Sequence, residues 1–342
     1  MTNTITEDRY FVDDEMVSEK KLTERAMEIL QEKGRKAVEL ARQIVLQEPI
    51  EYGPLKEAIS YFVRDWNDVL HPALVSLSCE AVGGEHGITI KVGAALVLLA
   101  GGADIHDDVI DESLVKAPRQ TVFGRFGKDL AILAGDALLL KGIYLLHEAC
   151  EEHDVGKKAM ILEIVKRAFF EISGAEAAET VMRGRIDVPK QEYLEIIRRK
   201  VGAGEASTRL GAILGGGTPE EVETMAEYGR TYGVLMLLRD EFVDMFEQDE
   251  LGNRVEKEVL PLPIMVALTD KSLKPRLLGL LHEKITEEKI ENIVDIVTDS
   301  AESKQLVSDM KQMVNQITLK TRNLRYCRDT LELLAHATLE DL

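Results

Sequence analysis

Three aspartates in the stretch GGADIHDDVIDES (101–113) have the spacing of a metal site. Asp107, Asp108 and Asp111 occupy positions i, i+1 and i+4, which share one side of a helix. The apolar residues that precede them predict a buried helix, where neighbouring carboxylates would repel each other. Bound cations would remove this repulsion, and oxygen ligands without cysteine favour Mg²⁺. The alternative is a solvated helix end.

A second acidic group has the same spacing on a second apolar stretch. In YGVLMLLRDEFVDMF (232–246), the acids are Asp240, Glu241 and Asp244. Two such helices can face each other across a cavity, where their metal ions would bind one polyanion between them. The pair of clusters therefore indicates a metal-dependent site for a phosphate-bearing substrate.

Composition excludes several classes of function. The 342 residues are 45% hydrophobic, enough for a substantial core, and carry a net charge of -19. This charge argues against nucleic acid as a partner, because a phosphate backbone needs a basic surface. The three cysteines, Cys79, Cys150 and Cys327, are far apart and form no zinc or disulfide pattern.

The outline of the chain is that of one helical domain. Residues 1–17 are polar and acidic, so we expect a tail, followed by a single all-α domain over 18–342. The closest approach to a membrane span, 92–103, is too short and ends in acids, so we expect no integral membrane protein. Without a signal-peptide pattern at its start, the chain is expected to be cytoplasmic.

Three local predictions concern segments near the acidic clusters. The stretch 114–127 is expected to be a loop, with Lys116, Arg119 and Arg125 near the carboxylates. These cations could bind phosphate, or they could be plainly solvated. The stretch 248–259 is expected to be a charged loop. Asp136, inside an apolar helix, is expected to be buried with a cationic or hydrogen-bonding partner.

At this level of detail the chain resembles the trans-prenyl diphosphate synthases, which are class I isoprenoid synthases. The resemblance covers roughly residues 60–270, with matching order and spacing. The similar stretches are HDDVIDES (106–113), TVFGRFG (121–127), LAILAGDALLL (130–140), EYLEIIRRKVGAGEASTRLGAILGG (192–216), RDEFVD (239–244) and LPLPIMVAL (260–268). The resemblance implies a helical bundle around a deep central cavity. It also implies Mg²⁺-assisted loss of diphosphate from an allylic prenyl diphosphate, followed by carbon–carbon bond formation with isopentenyl diphosphate.

The resemblance also assigns roles to residues. The first-choice metal ligands are Asp107, Asp111 and Asp240, and these three, with Lys200, are the expected catalytic residues. The other expected metal ligands, acting directly or through water, are Asp108, Glu241 and Asp244. Diphosphate oxygens would be bound by Lys116, Lys200 and Arg119.

The chain departs from the family pattern where the second substrate should bind. The family motif Gly-Gly-Lys-x-x-Arg-Pro corresponds to WNDVLHP (66–72), so Asp68 replaces the lysine and His71 the arginine. An acid at this place repels a diphosphate, which leaves His71 as a weak candidate for binding isopentenyl diphosphate. The two arginines that follow the first motif in the family are Lys116 and Ala117 here.

Three functions therefore stay open. The chain could be a divergent polyprenyl diphosphate synthase that holds isopentenyl diphosphate differently. It could be a terpene-synthase-like enzyme that acts on a single prenyl diphosphate. It could also be a non-catalytic partner subunit of an active synthase. The resemblance implies a homodimer or a heteromer with a related synthase.

Product length depends on the floor of the chain pocket, which the resemblance places one turn before the first motif. The residues there are Gly102 and Ala103, both small. We therefore expect a deep pocket that accepts chains of C15 or longer.

Overall fold

The computed structural model describes residues 21–116, 118–282, 284–340 and 342. The predicted tail at 1–17 lies outside these residues, as does Ala117. The described chain is all-α, as predicted, and buried apolar side chains from its first helix to its last form one continuous core.

The helices before the first acidic cluster and around it are numbered in chain order. They are α1 Leu22–Leu46, α2 Gly53–Asp65, α3 Leu70–Ala81, α4 Ile90–Ile110, α5 Val122–Phe126, α6 Lys128–Ala149 and α7 Val155–Thr180. The remaining helices are α8 Lys190–Lys200, α9 Gly202–Leu214, α10 Pro219–Val243, α11 Gln248–Lys257, α12 Leu262–Ala267, α13 Lys274–Leu281, α14 Glu287–Asp299, α15 Ala301–Thr321 and α16 Arg328–Ala337. Short 3₁₀ turns at His86–Thr89 and Asp244–Phe246 precede α4 and follow α10.

The central helices α4 and α6 pack closely because glycines lie where they meet. A Cβ atom added at Gly102 would lie 2.8 Å from the carbonyl oxygen of Gly135. One added at Gly142 would lie 3.0 Å from the carbonyl oxygen of Ala95. Neither backbone position could move without separating the helices, so larger residues would push α6 away from the helix that carries the first acidic cluster.

The helix that carries the second cluster begins where the sequence predicts. Thr218 precedes α10, and its side chain accepts a hydrogen bond from the Glu221 N–H, while the Glu221 carboxylate accepts one from the Thr218 N–H. Pro219 occupies the first helical position. This reciprocal capping fixes the start of the helix whose far end presents Asp240.

Two segments that were expected to be loops have regular structure. The 114–127 segment contains an antiparallel hairpin of β1 (Val115–Lys116) and β2 (Arg119–Gln120), followed by α5. The charged stretch 248–259 is mostly helix α11. The many charged residues of this stretch gave no indication that Leu251 and Arg254, one turn apart, are buried. These two side chains anchor the helix.

The prediction for Asp136 was wrong. This side chain is 60% exposed, with His106 at 3.4 Å, so it carries no burial cost that requires a partner. The apolar composition of α6 does not show that all its faces are buried, because Leu140 and Tyr144 are themselves exposed.

The statement that no stretch is long and apolar enough to cross a membrane was also wrong. By length and composition alone, Gly87–Ile110 and Lys128–Ala149 both qualify among the described residues. The apolar window of the first is 61% buried inside the protein and that of the second 39%, and the first helix contains Asp107 and Asp108 in its last turn. Buried core helices of soluble proteins pass the same test, so the composition of these two helices is weak support for a membrane span.

Candidate active site

The two acidic clusters line one cavity of about 530 Å³. Asp107 and Asp111, at the end of α4, form part of its wall. Asp240, Glu241 and Asp244, at the end of α10, form another part. The i, i+1, i+4 spacing thus brings the carboxylates of two helices to a common space, as the sequence predicts. We call this space the acidic cavity.

A second, apolar cavity of about 910 Å³ adjoins the acidic one. Residues common to both linings are Asp107, Glu176, Thr180 and Lys200. The apolar cavity extends between α4, α6, α7 and α9, and its wall includes Leu96, Leu99, Ala103, Leu139, Val165, Phe169 and Ile172. A ligand with a charged head and a hydrocarbon chain would therefore find both environments side by side.

The aspartates of the first cluster have different surroundings. Asp108 is 3% exposed and lines neither cavity; its Oδ1 lies 2.8 Å from the Lys116 ammonium. Asp111 forms an ion pair with Arg183, which follows α7. Burial and repulsion from Asp107 raise the pKa of Asp111 to about 6, although Arg183 opposes the rise. Asp107 and Asp111 are thus the members of this cluster that face the cavity.

In the second cluster, Arg254 of α11 holds two of the three acids. Its Nη2 lies 2.9 Å from Glu241 and its Nη1 lies 2.6 Å from Asp244. Glu241 also accepts hydrogen bonds from the Tyr193 hydroxyl and the Leu262 N–H, at 3.0 and 2.6 Å. The Glu241 carboxylate is therefore saturated by protein donors, and the buried Arg254 guanidinium offsets one of the two negative charges of Glu241 and Asp244.

Asp240 is the accessible member of the second cluster. Its side chain is 52% exposed, and the Arg239 guanidinium lies 3.9 Å away. Burial of the carboxyl group raises its pKa to about 6, Arg239 opposes the rise, and Glu241 adds to it. Because it is exposed and lines the acidic cavity, Asp240 is the best candidate for a metal ligand on this wall.

Lys200 lies where the two cavities meet. Its ammonium group is 3.1 Å from Glu176 and also pairs with Glu179, both on α7. Burial opposes its charge, but the two glutamates outweigh this and raise the pKa of Lys200. Burial raises the pKa of Glu176 to about 7, against the attraction of Lys200. Lys200 is therefore a permanent cation at the cavity junction, as its predicted diphosphate-binding role requires.

The residues present fit magnesium only in part. Among the described residues, no three His, Cys, Asp or Glu side chains are already grouped around one ion position. The donors that face the acidic cavity are carboxylate oxygens, which suit Mg²⁺, and this ion commonly completes its shell with water and substrate phosphate. Asp107, Asp111 and Asp240 fit this pattern. Asp108, Glu241 and Asp244 are bound to Lys116 or Arg254 instead.

The other three predicted site residues are Arg119, His71 and Lys116, and none of them is a free group in the acidic cavity. Arg119 lines neither cavity; it pairs with Asp65 at 2.6 Å, donates to the Tyr61 carbonyl and stacks over the Tyr61 ring. This placement gives its predicted diphosphate-binding role no support. His71 lines the apolar cavity and is hydrogen-bonded to Asp68. Lys116 lines the acidic cavity but is committed to Asp104 and Asp108.

Sequence reasoning missed several residues of the acidic cavity. Arg254 stood in a stretch interpreted as a loop, so its burial could not be foreseen. Glu176 and Glu179 are spaced i, i+3 in GAEAAET, a spacing that places two acids on one helix face. Arg183 follows them one turn later. This pattern of charged residues was the sequence signal that could have predicted their place in the acidic cavity.

Known proteins are similar to this chain in sequence and in fold. The family model described as polyprenyl synthetase matches residues 53–298. A short chain isoprenyl diphosphate synthase of Methanothermobacter thermautotrophicus is 31% identical over 270 residues, which are 75% of this chain and 82% of that protein.

Solved structures are similar as well. The crystal structure of geranylgeranyl pyrophosphate synthetase from Pyrococcus horikoshii Ot3 has a TM-score of 0.82 and 25% identity, covering 93% of this chain and 99% of that one. The polyprenyl synthase from Caulobacter crescentus CB15, complexed with calcium and isoprenyl diphosphate, has a TM-score of 0.78 and 19% identity, with 93% and 97% covered. The second likeness concerns the fold.

Proposed function

Because this chain belongs to the polyprenyl synthetase family, we propose that it ionises an allylic prenyl diphosphate in a Mg²⁺-dependent reaction and transfers the prenyl group. The observation that supports this most strongly is the junction of the two cavities. Opposed carboxylates and Lys200 lie at one end of this space, and an apolar pocket extends from it.

The residues act by position and charge. Asp107, Asp111 and Asp240 would hold the metal ions, and Lys200 would contact the diphosphate oxygens. Bound Mg²⁺ would neutralise the charge that develops on the departing diphosphate. Leu99, Ile172 and other apolar residues keep water from the prenyl chain.

The pocket supports a long prenyl chain. Ala103 and Leu139 lie in its wall, and the volume of about 910 Å³ is at the upper end of ordinary ligand pockets. We therefore propose substrates of C15 or longer. Gly102, in contrast, packs against Gly135 and Leu139 and is not part of the lining.

Polyprenyl diphosphate synthesis with isopentenyl diphosphate remains the first candidate for the complete reaction, supported by the Methanothermobacter relative. A reaction that needs no second diphosphate is the other candidate, and the Asp68–His71 pair in the apolar cavity favours it. A non-catalytic subunit would not need to hold Asp107, Asp240 and Lys200 around an open cavity, so we give this hypothesis the least weight.

We further propose that the protein is a cytoplasmic homodimer. Large apolar side chains are exposed on the neighbouring helices α6 and α7, including Leu140 at 70%, Tyr144 at 57% and Phe170 at 70%. Water contact at so many large apolar groups is unfavourable, and a second copy of the same face would cover them.

Incubation of the purified protein with Mg²⁺ and farnesyl or geranylgeranyl diphosphate tests the proposed activity. Released diphosphate is measured with and without isopentenyl diphosphate, and products are identified by mass spectrometry. We expect release with at least one of the two chains, and its loss when a chelator removes Mg²⁺. Absence of release with both chains, under all conditions, would contradict the proposal.

A further inference from the structure

A buried tyrosine connects the Lys200 side of the acidic cavity with its second acidic cluster. Tyr193 of α8 is 1% exposed, and its hydroxyl oxygen lies 3.1 Å from Glu179 Oε1 and 3.0 Å from Glu241 Oε1. The Arg254 guanidinium donates a hydrogen bond to the same oxygen, at 3.3 Å. The two carboxylates belong to α7 and α10, so one hydroxyl group joins two parts of the cavity wall.

This hydroxyl group has one proton for two carboxylates. A phenol donates a single hydrogen bond, so Tyr193 can donate to Glu179 or to Glu241 but not to both at once. Glu241 does not depend on this proton, because it also accepts hydrogen bonds from Arg254 Nη2 at 2.9 Å and from the Leu262 N–H at 2.6 Å. The Tyr193 proton is therefore available to Glu179.

Glu179 has fewer donors than Glu241. Among the described residues, those that donate hydrogen bonds to its carboxylate are Lys200 and Tyr193. The Glu179 side chain is 19% exposed, so water replaces a lost protein donor poorly. A carboxylate in such a position loses stability when its cation moves away, unless another donor remains. Tyr193 is that remaining donor.

A bound diphosphate would draw Lys200 away from Glu179. The Lys200 ammonium group lies where the two cavities meet and is shared between Glu176, at 3.1 Å, and Glu179. Diphosphate oxygens are charged acceptors, so each hydrogen bond that they receive from Lys200 weakens its pairing with these glutamates. Tyr193 hydrogen-bonds to one of the two, Glu179, and can offset the loss there.

From these contacts we infer that Tyr193 is a positioning residue for the diphosphate: its proton stabilises the Glu179 carboxylate when Lys200 turns to the diphosphate oxygens. The inference rests on the proposed function, because it assigns a further residue to the same site. No covalent bond changes in this step. The phenolic proton turns from Glu241 to Glu179, and Arg254 continues to balance the charge of Glu241. Without the hydroxyl group, Lys200 would leave Glu179 without a donor, so the diphosphate would bind more weakly.

Binding of an unreactive substrate analogue measures this effect without turnover. The probe is geranylgeranyl thiodiphosphate, in which sulfur replaces the oxygen between C1 and phosphorus, and it is titrated calorimetrically with Mg²⁺ present. Tyr193→Phe removes the hydroxyl group and keeps the ring. We expect about 10-fold weaker binding, the usual size for one lost hydrogen bond to a charged group. Binding equal to that of the parent would overturn the inference.

Tyr228→Phe is the matched control for the loss of a buried hydroxyl group. Tyr228 is also 1% exposed, and its hydroxyl donates to the Leu331 carbonyl at 2.8 Å, but it lines neither cavity. We expect Tyr228→Phe to bind the analogue as the parent does, even where both variants lower Tm. An equal loss of binding in Tyr228→Phe would show that general destabilisation causes the effect, which would overturn the inference.

A double-variant cycle shows whether Tyr193 acts through Glu179. Glu179→Gln removes the negative charge that needs a donor, so Lys200 has one competitor fewer and the analogue should bind at least as tightly as it binds the parent. Adding Tyr193→Phe to this variant should change binding by less than about 2-fold, because the two residues are coupled. The same 10-fold loss with and without Glu179→Gln would indicate a merely structural tyrosine and overturn the inference.

Failure of the proposed function would look different. A parent protein that neither binds the analogue nor releases diphosphate from geranylgeranyl diphosphate would overturn the proposed function, and the inference with it. A parent that does both, with Tyr193→Phe indistinguishable from it in binding, would overturn the inference alone.

Discussion

At the residue scale, the six acids of the two clusters differ in what neutralises them. Their spacing is the same in both helices, so spacing alone does not distinguish them, and the preference for Asp107, Asp111 and Asp240 came from the family resemblance. The structure separates them through three cations: Lys116 binds Asp108, and Arg254 binds Glu241 and Asp244. Arg183 pairs with Asp111, which still lines the cavity. The partners come from distant parts of the chain, which is why spacing alone could not rank the ligands.

The raised pKa of Asp240, about 6, gives a prediction for the metal-free protein. A carboxyl group whose pKa is raised by folding stabilises the fold while it is protonated, and this contribution is lost as pH rises through the folded pKa. As the pH rises from about 4 to about 6, Asp240 therefore becomes charged and its stabilising contribution to the fold is lost. Because the Asp240 side chain is 52% exposed, solvent weakens this effect, so we expect Asp240→Asn to raise Tm only slightly relative to the parent at pH 7.5 and to leave it unchanged at pH 4.5.

When Mg²⁺ is present, the charged Asp240 carboxylate should bind the ion and no longer destabilise the fold. Mg²⁺ needs the deprotonated group, so its calorimetric affinity for the parent should fall between pH 7.5 and pH 5. Asp240→Asn should bind Mg²⁺ weakly at both pH values. Glu247→Gln, a nearby exposed acid of the same cavity wall, is the control. In the metal-free protein, a Tm increase of Asp240→Asn that is equal at pH 7.5 and pH 4.5 would contradict the raised pKa of Asp240.

At the scale of elements, α11 shows where local patterns mislead. Charged residues dominate QDELGNRVEK, a composition typical of solvated loops. The helix forms because its two buried residues have partners in the tertiary structure: Leu251 joins the core, and Arg254 meets Glu241 and Asp244. Helices with a strong local signal, such as capped α10, were predicted well. Those held by distant charges could not be predicted.

Removal of Arg254 should therefore destabilise the protein strongly. Arg254→Ala leaves Glu241 and Asp244 in a buried position without their cation, which typically costs about 3–5 kcal/mol. Denaturant unfolding measures this loss. Lys257→Ala, an exposed cation one turn later, is the matched control and should change stability by less than about 0.5 kcal/mol. A loss as small as that of the control would show that Arg254 does not hold the second cluster.

We expect helix α4 to set the length of the prenyl chain through Ala103, which lines the apolar cavity. A larger side chain at this lining position occupies pocket volume, so Ala103→Phe should shorten the longest diphosphate that is turned over, with Ala103→Leu intermediate. Diphosphate release with geranyl, farnesyl and geranylgeranyl substrates measures the change. The neighbouring Gly102→Ala should instead destabilise the protein, because its Cβ meets α6. Unchanged chain-length preference in Ala103→Phe would count against this pocket.

At the scale of the whole molecule, the sequence predicted the helical class and the meeting of the two clusters, since both follow from short-range spacing on apolar helices. It did not predict which apolar faces are covered. Leu140 and Phe170 are apolar residue types that are typical of a core, but they lie at the surface. Burial depends on how helices are arranged in space, and in the proposed dimer a second chain covers the apolar faces that one chain leaves exposed.

The exposed faces of α6 and α7 predict a concentration-dependent dimer. Leu140→Glu together with Phe170→Glu places charges in the proposed interface, so sedimentation should show a monomer where the parent shows a dimer. Tyr326→Glu, at an exposed aromatic residue outside these helices, is the control and should remain dimeric. A parent protein that sediments as a monomer at all concentrations would contradict the proposed dimer.

The proposed reaction requires both acidic walls to act on one diphosphate. The most direct measurement is Mg²⁺-dependent diphosphate release by Asp107→Asn, Asp240→Asn and the double variant, each shown to be folded by circular dichroism. We predict that each single variant loses activity by about 100-fold or more, the usual cost of removing one group that stabilises developing charge. The double variant should lose little beyond that, since the two residues serve one site. Release at the parent rate in either single variant would contradict the account.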